Sequence, residues 1–446
     1  MHARFLAALF ALAAVVGTLS LVNGAYAQEN ELAGLRSATK AARNDVGAAR
    51  ALGRGLLRAG RYREAETELR RAARLARNAP EAVFAVASVA FAQGDYRRAQ
   101  AACRPLNSSV RGATPSVWAR LCSARTFLVW NRSSRAFEEL EAALAVEPQN
   151  VDALLALGDA HRLRADVPNA EQAYRRAAEA APGRSESQLG LGRLYAAAGR
   201  RDDAIAALRR AVAIDANDPE ADFELGRLLG GTAEANQLLQ KAVAGRPTWA
   251  EAQAALGDAY LAGNDAAAAE AAFVAALRIN DRLAVAHTGL GRAKAARGDL
   301  EGAEASLRRA LELVPNSPDG ARSLADLLAQ KQDYEGAFEQ YRLAADLDPR
   351  SPAALLSATR LALTVNRDVL AAGFLDRLLE AHPDLAAGLA LYGDVMKARS
   401  DRNAAREYYQ RALRGRGELS DRPRVEAAIR ELGPATPAVR PRPRAR

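Results

Sequence analysis

One pattern constrains this chain more than any other: a large apolar residue next to Gly or Ala, followed at fixed distances by further Ala. It reads Leu157-Gly158, Ala170, Tyr174, Ala177, Pro182, then Leu191-Gly192, Ala204, Leu208, Ala211. It returns as Leu290-Gly291, Ala303, Leu307, Ala310, Pro315, and as Leu324-Ala325, Ala337, Tyr341, Ala344, Pro349. The period is about 34 residues, the length of a helix–turn–helix unit that buries its apolar face only against its neighbours. An all-α chain is therefore expected, with a core that grows linearly. Composition agrees: 49% of residues are hydrophobic but only 5% aromatic, and the prevalent Ala both favours helix and lets helices approach closely.

About eleven units can be laid down between residues 46 and 419. First helices are predicted to start at Val151, Ser185, Ala250, Ala284, Pro318 and Ala386. Each carries a pair such as Leu52-Gly53, Leu225-Gly226, Leu256-Gly257 or Tyr392-Gly393, the Gly sitting where a Cβ would obstruct the second helix. Gly94-Asp95, Gly199-Arg200 and Gly298-Asp299 read as turns: Gly ends one helix in a left-handed conformation and Asp caps the next. Second helices stop at Pro148, Pro182, Pro247, Asp281, Pro315, Pro349 and Pro383.

At these residues the chain resembles the tetratricopeptide repeat family. The resemblance covers about four fifths of its length. It implies a right-handed α-solenoid of paired antiparallel helices, with a concave groove lined mainly by first helices, and a role in protein interaction. Three units depart from the pattern. The one starting at Pro219 is short, with Gly230-Gly231-Thr232 in place of the usual helix end and turn. The one at Pro352 has Ala358-Thr359 where Leu-Gly is expected. The one at Pro80 runs into an irregular stretch, Arg104–Pro115.

The ends read differently. Residues 1–27 have the form of an export signal: Arg4, a nearly unbroken apolar run from Phe5 to Val22, and Ala25-Tyr26-Ala27 before Gln28. Cleavage after Ala27 and a periplasmic location are expected, with an uncleaved inner-membrane anchor as the alternative. The Arg and Ala bias suggests a GC-rich bacterial genome. Residues 28–45 are predicted to form a lead-in helix carrying Leu32, Leu35 and Ala38; residues 420–432 are predicted to cap the last repeat. Residues 433–446, with four Pro, four Arg and no acid, should be disordered. This tail is a candidate for contact with an anionic polysaccharide or a membrane surface. In an oxidising compartment Cys103 and Cys122 are a disulfide candidate, the alternative being two buried free thiols.

No catalytic constellation stands out, and no enzyme activity, cofactor or metal is expected. His161, His287 and His382 stand apart, without metal-ligand spacing. Gly190-Leu191-Gly192 lies inside a predicted helix with no preceding strand, so it is no nucleotide loop. The formal charge of +9 comes from Arg spread over most repeats, which reads as a solvated mixed surface. Nucleic acid is not an expected partner.

If the register holds, the position two residues beyond each Leu faces the groove. Its occupants are Arg54, Ser88, Arg125, Asp159, Arg193, Arg227, Asp258, Arg292, Asp326, Arg360 and Asp394. From Asp258 onward acid and base alternate, which suggests a ladder of neighbouring ion pairs or a mixed-charge track for an extended peptide. Arg193 and Arg227 interrupt the alternation and form a candidate carboxylate or sulfate site, with Phe223 as apolar contact. The expected function is a non-enzymatic scaffold of the cell envelope that binds peptide segments or folded partners in this groove. The second reading is a periplasmic accessory of exopolysaccharide export, because repeat proteins that the chain resembles serve cellulose or alginate secretion.

Overall fold

The computed structural model describes residues 28–107, 115–417 and 419–433. The expected signal segment, most of the tail and residues 108–114 lie outside them. Among the described residues there are 24 helices and no strand. They divide into two units, ending and beginning at Ile279 and Asn280.

The first unit opens with α1 (28–41) and continues as seven helix pairs. These are α2 (Val46–Arg58) with α3 (Tyr62–Leu75), α4 (Pro80–Ala92) with α5 (Tyr96–Asn107), and α6 (Val117–Val129) with α7 (Ser133–Val146). Next come α8 (Val151–Leu163) with α9 (Val167–Ala180) and α10 (Ser185–Ala197) with α11 (Arg201–Ile214). The last two pairs are α12 (Pro219–Leu229) with α13 (Ala233–Gly245) and α14 (Ala250–Ala262) with α15 (Ala266–Ile279). The second unit holds four pairs and a cap. Its pairs are α16 (Ala284–Ala296) with α17 (Leu300–Leu313), α18 (Pro318–Gln330) with α19 (Tyr334–Leu347), α20 (Ala353–Thr364) with α21 (Asp368–Ala381), and α22 (Ala386–Ala398) with α23 (Arg402–Arg414); α24 (Arg422–Leu432) follows.

All six predicted first-helix starts coincide with observed ones. The reason is local. Asn150, Asp218 and Ser317 accept a backbone N–H from the first turn of the helix they precede. Asp95, Asp299, Asp333 and Asp401 do the same for second helices. In the pairs whose first helix carries Gly at this position, that Gly faces one large side chain of the second helix. A Cβ on Gly158 would lie 2.6 Å from the Tyr174 ring, one on Gly192 2.5 Å from Leu208, and one on Gly393 2.5 Å from Tyr409. Gly190, also against Tyr174, therefore serves packing between neighbouring pairs. The turns at Gly94, Gly199 and Gly298 have φ of 69°, 73° and 84°, the left-handed region expected of them. Ala165, Gln332 and Ser400 occupy the same region without that freedom.

Three expectations need correction. On α1 the buried residues are Leu32 and Thr39, not Ala38, which is exposed. The Thr39 hydroxyl donates to the Leu35 carbonyl, so a helix-compatible polar residue fills the seat assigned to Ala. Arg104 and Pro105, expected to be irregular, lie inside α5, which runs on to Asn107; residues 108–114 of that stretch lie outside the described residues. The short repeat is accommodated by ending α12 early: Gly230 and Gly231 adopt φ of 22° and 67°, and Thr232 caps α13. At the end of the second unit α24 packs Val425, Ala428 and Leu432 in one cluster with Leu389 and Tyr409.

Candidate functional site

In the first unit the first helices line a cavity of about 1010 Å³. Arg54, Ser88, Arg125, Asp159 and Arg193, five of the groove residues expected from register, are on its wall. Each directly follows the small residue at its pair's close contact, so about 100° of helical rotation turns it from the packed face toward the open one. Two kinds of wall result. One, from α4 and α6, is aromatic: Phe84 lies 5.3 Å from Trp118, and the Arg125 guanidinium sits 5.2 Å from the Phe84 ring and 5.8 Å from Phe91. The other is ionic. Arg184 bridges Asp152 and Glu186, each at 3.1 Å. Burial opposes its charge, and the two carboxylates more than offset this, raising its pKa.

Arg193 and Arg227 do not present open guanidinium forks. Arg193 donates to Glu224 at 2.8 Å and to Glu220 at 3.0 Å, and Arg227 reaches the other oxygen of Glu224 at 3.2 Å. A carboxylate of the chain itself thus occupies the place expected for a ligand. Arg227 is exposed and is not among the cavity-lining residues. Phe223 packs on Trp249 with ring centroids 4.5 Å apart.

Three acids of the pattern have a partner within their own helix pair. The Asp159 carboxylate accepts the Tyr174 hydroxyl at 2.7 Å, Asp326 accepts that of Tyr341 at 2.5 Å, and Asp394 accepts that of Tyr409 at 2.7 Å. In every case the tyrosine is 15 residues further on, on the second helix of the same pair. Burial first, and the adjacent carboxylate second, hold the Tyr174 hydroxyl pKa above its ordinary value. Where the same second-helix position holds Leu, as at Leu69, Leu140, Leu208, Leu307 and Leu375, the groove residue is Arg. Asp258, opposite Phe273, is the exception. In the second unit Asp326 also pairs with Arg322, and Asp394 with Arg424. Among the described residues no ion pair joins Arg360 to Asp326 or to Asp394. Arg292 lies on α16 at the corresponding position.

Contacts that no repeat pattern announces close the first unit on itself. Arg58 pairs with Glu31 and with Asp215, and Arg246 donates to the Tyr62 hydroxyl while lying over the Tyr62 and Trp249 rings. The turn between α2 and α3 thereby meets the α11–α12 and α13–α14 turns. Beside this clasp, Asp218 and Asp222 are buried. Burial, partly countered by Lys241, pushes the Asp222 carboxyl up to about 7, and its Oδ1 has no hydrogen-bond partner.

The structure also joins Cys103 on α5 to Cys122 on α6, with Cα atoms 6.0 Å apart. His161 is hydrogen-bonded to Asp166 and packs on Phe137. Among the described residues no group of His, Cys, Asp or Glu could hold a metal ion, and no helix is long and apolar enough to cross a membrane. Sequence reasoning missed the Tyr–Asp pairs, although their 15-residue spacing is legible in the repeats. It missed the clasp because nothing local links residues so far apart.

Tetratricopeptide repeat family models match residues 50–105, 124–185 and 288–352, and a second such model matches 162–222. No curated protein matches the chain in sequence. Among solved structures, yeast Tom70 is 13% identical with a TM-score of 0.49, covering 95% of each chain. Pseudomonas aeruginosa pilF is 22% identical with a TM-score of 0.37, covering 47% of this chain and 97% of its own. A thermophilic tetratricopeptide protein of Thermus thermophilus is 28% identical with a TM-score of 0.37, covering 40% and 99%. None of these likenesses carries an argument about this chain's partner.

Proposed function

The chain belongs to the tetratricopeptide repeat family, whose repeats generally mediate protein–protein interaction, and from that premise we propose that it is a non-enzymatic scaffold holding an extended partner segment in the cavity of its first unit. The observation that carries the reading is the two-sided wall. Phe84, Phe91 and Trp118 offer apolar contact area, while Arg54, Ser88, Asp159 and the Arg184 carboxylate pairs offer polar groups across the same space. A photo-reactive residue at Ser88 is expected to crosslink a partner, and one at Arg210, on the outside of α11, is not. Crosslinking from position 210 with none from 88 would overturn the cavity as the binding site.

Export is part of the same proposal. The apolar run from Phe5 to Val22 and Ala25-Tyr26-Ala27 motivate it, and the Cys103–Cys122 pairing supports it, because such bonds persist in oxidising compartments. The mature protein should begin at Gln28. Mass spectrometry finding Met1 retained would refute cleavage.

A further inference from the structure

A second surface lies apart from the cavity, along the edge formed by the α6–α7 and α8–α9 turns of the first unit. In a chain with few aromatics, Phe127, Trp130 and Phe137 gather here, and each ring carries a guanidinium. Arg135 lies 5.9 Å from the Phe127 ring, Arg132 5.7 Å from Trp130, and Arg164 5.5 Å from Phe137. Trp130 is 46% exposed and Leu163 64%, so apolar area is presented beside the charge.

What distinguishes this edge is that its three stacked cations have no carboxylate partner among the described residues; Asp166, the acid of the α8–α9 turn, is taken up by His161 and Asn169. At the next turn Arg200 stacks on Tyr195 in the same manner, but Glu171 and Asp203 neutralise it. In the second unit Arg367 lies over Phe338 and pairs with Glu335. Among the described residues no carboxylate pairs with Arg132, Arg135 or Arg164. Most other stacked or cavity-lining Arg in this chain have an acidic partner, so these three cations are left for one supplied from outside.

We propose that this edge docks an acidic segment of a partner protein in which carboxylates are interspersed with apolar side chains. Stacking holds each guanidinium in place, so less side-chain freedom is lost when a carboxylate binds. Trp and Arg flanked by aliphatic residues are also the composition of interface anchor points. An anionic membrane fits less well. The rings are covered by cations, and insertion of Phe127 or Phe137 among acyl chains would carry a guanidinium with it.

The test uses the full chain and a fluorescein-labelled peptide of repeated Glu-Glu-Leu units, with vesicles of phosphatidylcholine and phosphatidylglycerol as the second arm. Anisotropy should show peptide binding that weakens about tenfold or more in the combined Arg132→Glu, Arg135→Glu, Arg164→Glu variant. Trp130→Ala should weaken it about fivefold. Arg209→Glu with Arg308→Glu, on outward faces already paired with acids, should change it less than about twofold. Amide hydrogen exchange should report peptide-dependent protection at the α6–α7 turn. No peptide binding, equal loss in the control pair, or binding to vesicles but not to the peptide would each overturn the proposal.

Discussion

The two units are built from one repeat but stabilised differently. The second, with four pairs (one carrying Ala358-Thr359 in place of Leu-Gly) and a capping helix, is held by contacts between nearest neighbours, as a linear repeat should be. The first tolerates a shortened repeat and two buried carboxylates, Asp218 and Asp222. It alone has a disulfide and a clasp between residues separated by 157 and 184 positions. In the first unit the shortened repeat and the buried carboxylates lie beside the contacts made outside the repeat pattern.

The largest expected effect breaks one of those constraints. Replacing Cys103 and Cys122 by Ser should cost about 3 kcal/mol, the chain-entropy value for a loop of this size. Hydrogen exchange should quicken across α4–α7 while α18–α23 keep their protection. An equal loss in both units would erase the distinction drawn here.

Asp222 offers a change of opposite sign. Its folded pKa of about 7 lies above the ordinary aspartate value. Its favourable contribution is therefore complete below about pH 4 and lost as pH rises through 7. Asp222→Asn should raise the melting temperature at pH 8, by about 2 kcal/mol in stability, with little gain at pH 4. A gain equal at both pH values would show that charge is not the cause.

The next effect sharpens the comparison from the other side. Tyr409→Phe removes the hydroxyl bound by Asp394 and should destabilise the second unit by about 1–2 kcal/mol. Burial first, then hydrogen bonding to Asp394, raises the Tyr409 pKa. The contribution is thus complete below about pH 10 and lost as pH rises beyond it. The variant should accordingly lose less stability than the parent on alkaline titration monitored by circular dichroism.

The smallest effect concerns turns common to both units. Ser400 holds φ of 64° where Gly298 performs the same task without strain. Ser400→Gly should therefore gain about 0.5–1 kcal/mol in thermal unfolding.

Helix boundaries were legible because caps, left-handed turns and close-packed Gly act within a few residues, as Asn150, Gly199 and Gly158 illustrate. Arg54, Ser88, Arg125, Asp159 and Arg193 line the first cavity from the register position, while Arg227 and Asp258, at the same position, are not on its wall. Their bonding partners were less accessible. Glu224 lies off the register position, yet it occupies the space between Arg193 and Arg227. Thr39 is buried in place of Ala38 because it stands seven residues, about two turns, beyond the buried Leu32 and so shares its face. The clasp depends on how small rotations accumulate from pair to pair, which no single repeat encodes.

The tyrosine–aspartate pairing has an evolutionary consequence. Donor and acceptor lie inside one helix pair, so a duplicated or exchanged segment of that length brings both along. Unequal crossover can therefore rewrite the order of charges seen by a ligand while leaving each copied module internally complete. A designer of binding proteins could accordingly reorder such charges cassette by cassette.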